Sequence, residues 1–204
     1  MNETLKNIAM RNSCRDFADT PLEEWQVKAL VNAALAAPSA MNKQPWHITV
    51  VTDKDVIDEM DKEGVAVMAA DKDKTYYERI MERGGKLFYN APCLIAISCD
   101  KSDWALLDSG ILCQNIVLAA QAMELGSCIV GLLRVPLSGP RGDEFKKTLQ
   151  FPEGYDFAVS ILVGTVKTGK VPHDLDLSKV SFVKGVNTSK PQARSLEEWA
   201  TLRG

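Results

Sequence analysis

Two hydrophobic periods run through this chain. Short apolar or β-branched runs at Ile48–Val51, Cys93–Ser98, Ser127–Gly131 and Phe157–Val163 predict strands. The second is a continuous apolar run up to Ser98, as buried central strands are, and the fourth, broken only by Ser160, is again of central type. A helical period predicts helices between them. A short one spans 3–10 through Leu5, Ile8 and Ala9. A longer one presents Leu22, Trp25, Ala29, Leu30, Ala33 and Ala37. Another covers 54–63 through Val56, Ile57 and Met60. Residues 64–75 fit neither period. Tyr76–Phe88 reads as helix, weakened at its last turn by Gly84-Gly85. Phe145 and Leu149 close a helix before the turn Phe151-Pro152-Glu153-Gly154.

Local signals set some of the limits. Thr20 is a candidate N-cap, with Pro21 at the first helical position and Glu23 completing a capping box. Each proline of Ala37-Pro38 and Gln44-Pro45 biases the residue before it away from the α region, so that helix stops near Ala37. Gly126 is placed to end the preceding helix at C′.

The strongest helix spans 104–125. Leu107, Ile111, Asn115, Leu118, Ala122 and Leu125 trace one face, and Leu106, Leu112, Val117, Ala119 and Ala120 make much of the remainder apolar. A helix apolar nearly all round must be buried nearly all round. A second subunit would bury the face that one chain leaves open. The helix of a monomer's centre is the other way to do so.

The 204 residues are best read as one domain, 1–204, with a sizeable core. Net charge is −3 and pI about 5.5, which supplies no broad basic face for nucleic acid or anionic membrane. No apolar run approaches the ~20 residues of a membrane span. The N-terminus Met1–Lys6 does not read as a signal peptide. Cys14, Cys93, Cys99, Cys113 and Cys128 form no Cys-x-x-Cys pair and are odd in number. A reduced, cytoplasmic chain without structural disulfides or a zinc site follows.

Two loops carry candidate chemistry. Ala37-Pro38-Ser39-Ala40-Met41-Asn42-Lys43-Gln44-Pro45-Trp46-His47 crosses irregularly from helix to strand, leaving backbone N–H groups for an oxygen-rich ligand, with Ser39, Asn42 and Gln44 adding donors and acceptors. Arg11 and Arg15 flank Ser13 two residues to either side; in an extended segment they project together and could grip a phosphate. Surface pairing with Asp16 or Asp19 is the simpler alternative. The chain has no metal-spaced His/Cys/Asp/Glu cluster, no Gly-x-Ser-x-Gly elbow and no Walker loop. Its two histidines, His47 and His173, are little material for acid–base work. Such a chain borrows a cofactor's chemistry.

Arg-x-Ser-x-Arg at 11–15 followed by Pro-Ser-Ala-x-Asn-x-Gln-Pro-Trp at 38–46 resembles the FMN-dependent nitroreductase family. Gly-Ser-Cys-Ile-Val-Gly at 126–131 is similar to that family's segment beside the flavin ring, and 104–125 resembles its dimer-interface helix. The resemblance implies an α+β fold, an α-β-α sandwich whose mixed, mostly antiparallel central sheet is flanked by helices. It implies a homodimer with FMN at the subunit interface and a C-terminal tail, 171–204, wrapping the partner; Ser195–Leu202 is a candidate helix there.

The cofactor-binding residues it implies are Arg11, Ser13, Arg15, Pro38, Ser39, Ala40, Met41, Asn42, Lys86, Val130, Gly131, Leu132 and Lys170. Arg11, Ser39 and Lys170 would meet the phosphate, and Lys167 is a weaker candidate. Ser13 and Asn42 would meet the ribityl chain. Arg15 and Lys86 would lie at the N1/O2 edge, where reduction adds negative charge. Backbone N–H groups near Gly131 would approach flavin N5, with glycine permitting the close approach. The Pro38–Asn42 loop would come from the partner. No side chain is then catalytic: flavin N5 passes hydride from NADH or NADPH to nitroaromatic, quinone or related acceptors by a ping-pong sequence. Reductive dehalogenation, flavin fragmentation or a non-enzymatic flavin carrier or sensor are alternatives on the same scaffold. Residues 64–85 are the candidate lid.

Overall fold

The predicted strands pair into one sheet in the order β1-β2-β4-β3, with every neighbouring pair antiparallel. Here β1 is Trp46–Val51, β2 Cys93–Cys99, β3 Gly126–Val130 and β4 Asp156–Gly164. An isolated parallel bridge from Ser13 to Ser127 on β3 makes the sheet mixed. The computed structural model describes residues 2–172 and 176–181. His173 and most of the tail expected to wrap a partner, with Ser195–Leu202, lie outside them.

Seven helices are among the described residues: α1 Glu3–Met10, α2 Glu24–Leu35, α3 Lys54–Ala70, α4 Thr75–Glu82, α5 Ala105–Ala122, α6 Arg134–Leu137 and α7 Gly142–Thr148. Alternate residues of a strand face opposite sides. Leu94, Ala96, Cys128 and Leu162 therefore pack with Ile57 and Met60 of α3 and Phe145 of α7. Ile95, Ile97, Ile161 and Val163 pack with Leu30 and Ala34 of α2 and Leu112, Ile116 and Val117 of α5. The result is the expected α+β sandwich, with β2 buried along its whole length.

Several limits differ from the sequence expectation. Helix α2 starts at Glu24, not Pro21, because Glu23 is the N-cap and exchanges capping-box bonds with Gln26. Helix α3 runs on to Ala70, through Gly64. A Cβ at Gly64 would stand 2.7 Å from Leu87 and 3.2 Å from Pro136, so close packing accounts for a mid-helix glycine. Helix α4 ends at Glu82, and Gly84 (φ 94°) and Gly85 (φ 70°) turn the chain out of it. Helix α5 is capped at Met123, with Glu124 rather than Gly126 in the left-handed region. Gly126 opens β3 instead, where a Cβ would meet Cys14 at 2.9 Å.

Helix α5 also corrects the expectation about span length. By length and composition alone it could cross a membrane, and it is the one such helix among the described residues. Its inner face nonetheless packs on the sheet, as a core helix does. Asn115, expected on an apolar face, donates to the Ala33 carbonyl of α2 at 3.0 Å. Leu106 is 68% exposed and Leu107 56%. A Cβ on Gly110 would meet nothing within 4 Å. That outer face is apolar, shallow and uncovered in a single chain.

Candidate cofactor site

The Arg11–Arg15 loop leaves α1 and is zipped to two other segments. The Cys14 N–H donates to the Ser127 carbonyl at 2.9 Å. Phe17 bridges Val166, and the Ala18 N–H reaches the Thr165 carbonyl at 3.0 Å. The Lys167 N–H donates to the Asp16 carbonyl at 3.0 Å, and the Thr168 hydroxyl donates to the Asp16 carboxylate. This pairing brings Asn12 and Cys14 against Gly169 and Lys170 around a recess of about 270 Å³.

Three cations border this region. Among the described residues, Arg11, Arg15 and Lys170 take part in no ion pair. Pairing of the arginines with Asp16 or Asp19 is therefore not what the fold builds. Burial pushes the Cys128 thiol up from its ordinary value, while the charges of Arg15 and Arg11 pull the other way, so both guanidiniums stand near it. Burial likewise raises Cys14 and takes Cys93 and Cys113 to about 12. All five cysteines are free and buried, and these are structural thiols, not nucleophiles.

Strand β3 is an edge strand, so one side of its backbone is not paired with β4. Ser127 points its carbonyl to that side. Strand periodicity puts the N–H and C=O of Ile129 there too. Gly131 follows at the exposed end, and a Cβ on it would meet nothing within 4 Å. Val130 is buried, its carbonyl accepting from the Ser160 hydroxyl at 2.9 Å, and Leu132 is half-buried.

A cavity of about 640 Å³ opens beside Gly131 and Leu132. Val67 and Met68 of α3, Tyr76 and Tyr77 of α4, and Arg134 are among its walls. Val67, Met68, Asp71, Asp73, Tyr76 and Tyr77, all within the segment 64–85, thus border the cavity next to Gly131.

The Pro38–Gln44 loop is held in an unusual shape. Met41, Asn42 and Gln44 all have left-handed backbones, with φ of 51°, 53° and 47°. Such residues cost about 1 kcal/mol or more each. Ser39 Oγ accepts the Gln44 N–H at 2.9 Å, Asn42 Oδ1 accepts from the Gln44 amide at 3.1 Å, and the Ala40 N–H donates to both oxygens of Asp108 at 3.2 Å. Pro38 is exposed and Met41 is 82% exposed, an apolar side chain set out into solvent.

Asp108 lies in the first turn of α5, whereas Gln121 in its last turn lines the Lys170 recess. The two are thirteen positions apart, about 20 Å at ~1.5 Å per residue. One chain therefore carries the Pro38–Asn42 loop and the cation group at opposite ends of one helix.

Lys86 stands apart from the unpaired cations. Its Nζ is 3.7 Å from Asp58 Oδ1 and 3.7 Å from Asp61 Oδ2. Asp61 and Asp108, both buried, were not among the sequence candidates. For Asp108, an acid directly after the apolar helical run Ala105-Leu106-Leu107 was the available signal. Among the described residues no cluster of His, Cys, Asp and Glu could hold a metal. His47 is half-buried on β1.

Residues 8–165 match the model of the Nitroreductase family. A nitroreductase of Desulfitobacterium hafniense, solved with bound FMN, is 46% identical, with a TM-score of 0.87 over 90% of this chain and 100% of that one. An FMN-dependent nitroreductase of Clostridium difficile is 32% identical, with a TM-score of 0.73 over 89% of this chain and 99% of that one. A NADPH-flavin oxidoreductase of Vibrio harveyi is 31% identical over 140 residues, 66% of this chain and 55% of that protein.

Proposed function

The chain belongs to the Nitroreductase family, and from that premise we propose that it is an FMN-dependent oxidoreductase working as a homodimer. The observation that carries the reading is that Arg11, Arg15 and Lys170, none of them in an ion pair among the described residues, lie on two segments zipped together, with Lys170 lining the small recess between them. A phosphate carrying up to two negative charges is buried only with cations and donors around it. The donor set fits FMN: Arg11 and Lys170 for the phosphate, Ser13 for the ribityl chain, Arg15 for the pyrimidine edge. The open backbone edge from Ile129 to Gly131 suits a flat ring laid along it.

The remaining donors, Ser39 and Asn42, come in this reading from the second subunit. Two antiparallel α5 helices in contact would set the Asp108 end of one beside the Gln121 end of the other. The exposed apolar face of α5 and the small Gly110 favour such contact. The site is then built twice, from halves that a lone chain keeps about 20 Å apart.

Bound FMN would supply the redox chemistry, taking electrons from NADH or NADPH and delivering them to an acceptor in a ping-pong sequence. The chain's own part is to bind, orient and exclude water. Tyr76, Tyr77, Val67 and Leu132 offer an aromatic, mainly apolar chamber beside Gly131. It suits planar electrophiles such as nitroaromatics and quinones. No side chain is asked to act as nucleophile or base. The free, buried thiols agree with a reducing cytoplasm.

The test is anaerobic spectroscopy. Purified protein is expected to be yellow, to release flavin on denaturation, and to bleach on adding NADH or NADPH. A nitroaromatic or quinone should restore the colour. Protein that takes up no FMN would sink the reading. A yellow protein oxidising NAD(P)H no faster than free FMN would make it a carrier or sensor.

A further inference from the structure

Arg134 stands at the cavity beside Gly131. It is among the walls that also include Gly131 and Leu132. Its N–H donates to the Gly131 carbonyl at 3.1 Å, which sets it one turn past the exposed end of β3. Its guanidinium carbon lies 5.8 Å from the centre of the Phe157 ring, a distance at which the aromatic face attracts the cation. Val130 pairs with Ser160 and the strands are antiparallel, so Phe157 lies beyond the Val130 end of β3. The charge of Arg134 is thus held off the same end of the strand at which the cavity opens.

The other charges of the cavity, Asp71 and Asp73, belong to the connection from α3 to α4. Both are committed to that turn. Asp71 Oδ1 accepts the Asp73 N–H at 3.1 Å, and Asp73 Oδ1 accepts the Thr75 N–H at 2.9 Å. The Thr75 hydroxyl and N–H hold the Asp73 carboxyl below its ordinary value, so it is ionised at neutral pH. Arg134 forms an ion pair with neither acid, nor with any other among the described residues. The cavity therefore has a polarity: a cation on the α6 wall next to Gly131, and anions on the α3–α4 wall.

We propose that Arg134 is a specificity-determining residue that selects planar acceptors bearing a carboxylate on the ring. The inference rests on the FMN reading above, which lays the flavin along 129–131. An acceptor stacked there has Arg134 one turn from Gly131, so its anionic group belongs directly on the ring. A carboxylate suits the guanidinium because its two oxygens match the planar fork of donors. Asp71 and Asp73 repel the same group, so the acceptor enters one way round. Arg134 binds and orients; it takes up no electron and moves no proton.

The experiment gives the holoenzyme two probes, para-nitrobenzoate and its neutral near-isostere para-nitrobenzamide. Their kcat/KM ratio is compared between wild type, Arg134→Gln and Arg134→Lys, which cancels the probes' intrinsic reactivity and any general loss of turnover. Arg134→Gln is expected to lower the benzoate-to-benzamide ratio about fivefold, the upper range for an exposed charge pair. Arg134→Lys should recover part of that, keeping the charge without the fork. Added salt should lower the wild-type ratio. A ratio unchanged in Arg134→Gln would overturn the inference. So would a loss confined to reduction of the flavin by NADH or NADPH, which would assign Arg134 to the donor's phosphates. A yellow wild type that reduces the amide and not the acid would overturn it while leaving the FMN reading intact. Colourless wild-type protein would instead remove the reading beneath it. If Arg134→Gln does not fold, a wild-type ratio that stays flat or rises with salt decides against the inference.

Discussion

The backbone N–H of Ala40 lies 3.2 Å from each carboxylate oxygen of Asp108, a buried acid sixty-eight positions further along the chain. This contact fastens the loop of Ser39 and Asn42 to α5. Asp108→Ala leaves that N–H without its acceptor, a loss of about 1–3 kcal/mol for a buried donor. The expected result is a lower denaturation midpoint and FMN affinity weakened roughly tenfold. Asp108→Asn, which retains an acceptor oxygen, should lose less than half as much. Urea unfolding and flavin fluorescence titration measure the two effects.

The outer face of α5 sets the second prediction. Leu107→Glu places a charge where a second copy would seat, without disturbing the inner packing of Leu112 and Ile116. The variant should sediment as a folded monomer and lose FMN on dilution. A Leu107→Glu protein that stays dimeric and yellow would show that the halves meet elsewhere.

Gly126 tests the seam beneath the Arg11–Arg15 loop. A Cβ there would lie 2.9 Å from Cys14 Sγ and 2.8 Å from Val166 Cγ2. Gly126→Ala must displace one of the two segments that flank the recess. It should destabilise the chain by about 1–3 kcal/mol, the usual cost of overpacking, and weaken FMN retention in step. Gly131→Ala, with open space around it, should fold normally and affect only flavin-dependent properties.

The unpaired cations should each matter for retention. Arg11→Ala or Lys170→Ala is expected to cost roughly ten- to a hundredfold in FMN affinity, as for one charged hydrogen bond of about 1.5–3 kcal/mol. Raising salt should narrow the gap from wild type. His47→Ala should leave turnover mostly intact, since nothing in the site uses an imidazole.

Two carboxylates on neighbouring turns of α3 should respond to pH with opposite signs. Burial pushes the Asp61 carboxyl above its ordinary value, outweighing the Leu87 and Phe88 N–H groups and the Lys86 charge. Its stabilising contribution is complete below the unfolded value of 3.8 and is lost as pH rises through the raised folded value. For Asp58, burial works upward, but the hydrogen bond and charge of Lys54, with Lys86 and Lys62, bring it below 3.8. Its contribution is present above 3.8 and is lost as pH falls through the depressed value. Between about pH 3 and 7, wild type should therefore lose ground to Asp61→Asn and gain on Asp58→Asn in urea midpoints.

The strands were legible because their apolar runs need no context: Cys93–Ser98 is buried on both faces and reads so from composition alone. Helix ends were less so. Gly64 looks like a stop, and only the neighbouring Leu87 and Pro136 explain why the helix passes through it. Thr20-Pro21 looks like a start, but Glu23 and Gln26 cap each other first. The Arg11–Arg15 and Pro38–Asn42 loops were legible as motifs. Their supports, Asp108 and the Asp16–Thr168 seam, were not, because each depends on partners remote in sequence. Asp61 was hidden for the same reason: nothing local shows that an acid on α3 will close over the turn at Leu87.

Beyond Ser127, the outer rim of β3 presents peptide groups that no described segment bonds. Bare rims of this kind are templates on which another chain can add a strand. A ring lying along that rim would act as a cover against self-association as much as a reagent. Cells starved of riboflavin should accordingly accumulate this protein in inclusion bodies, and supplying the vitamin should return it to the supernatant.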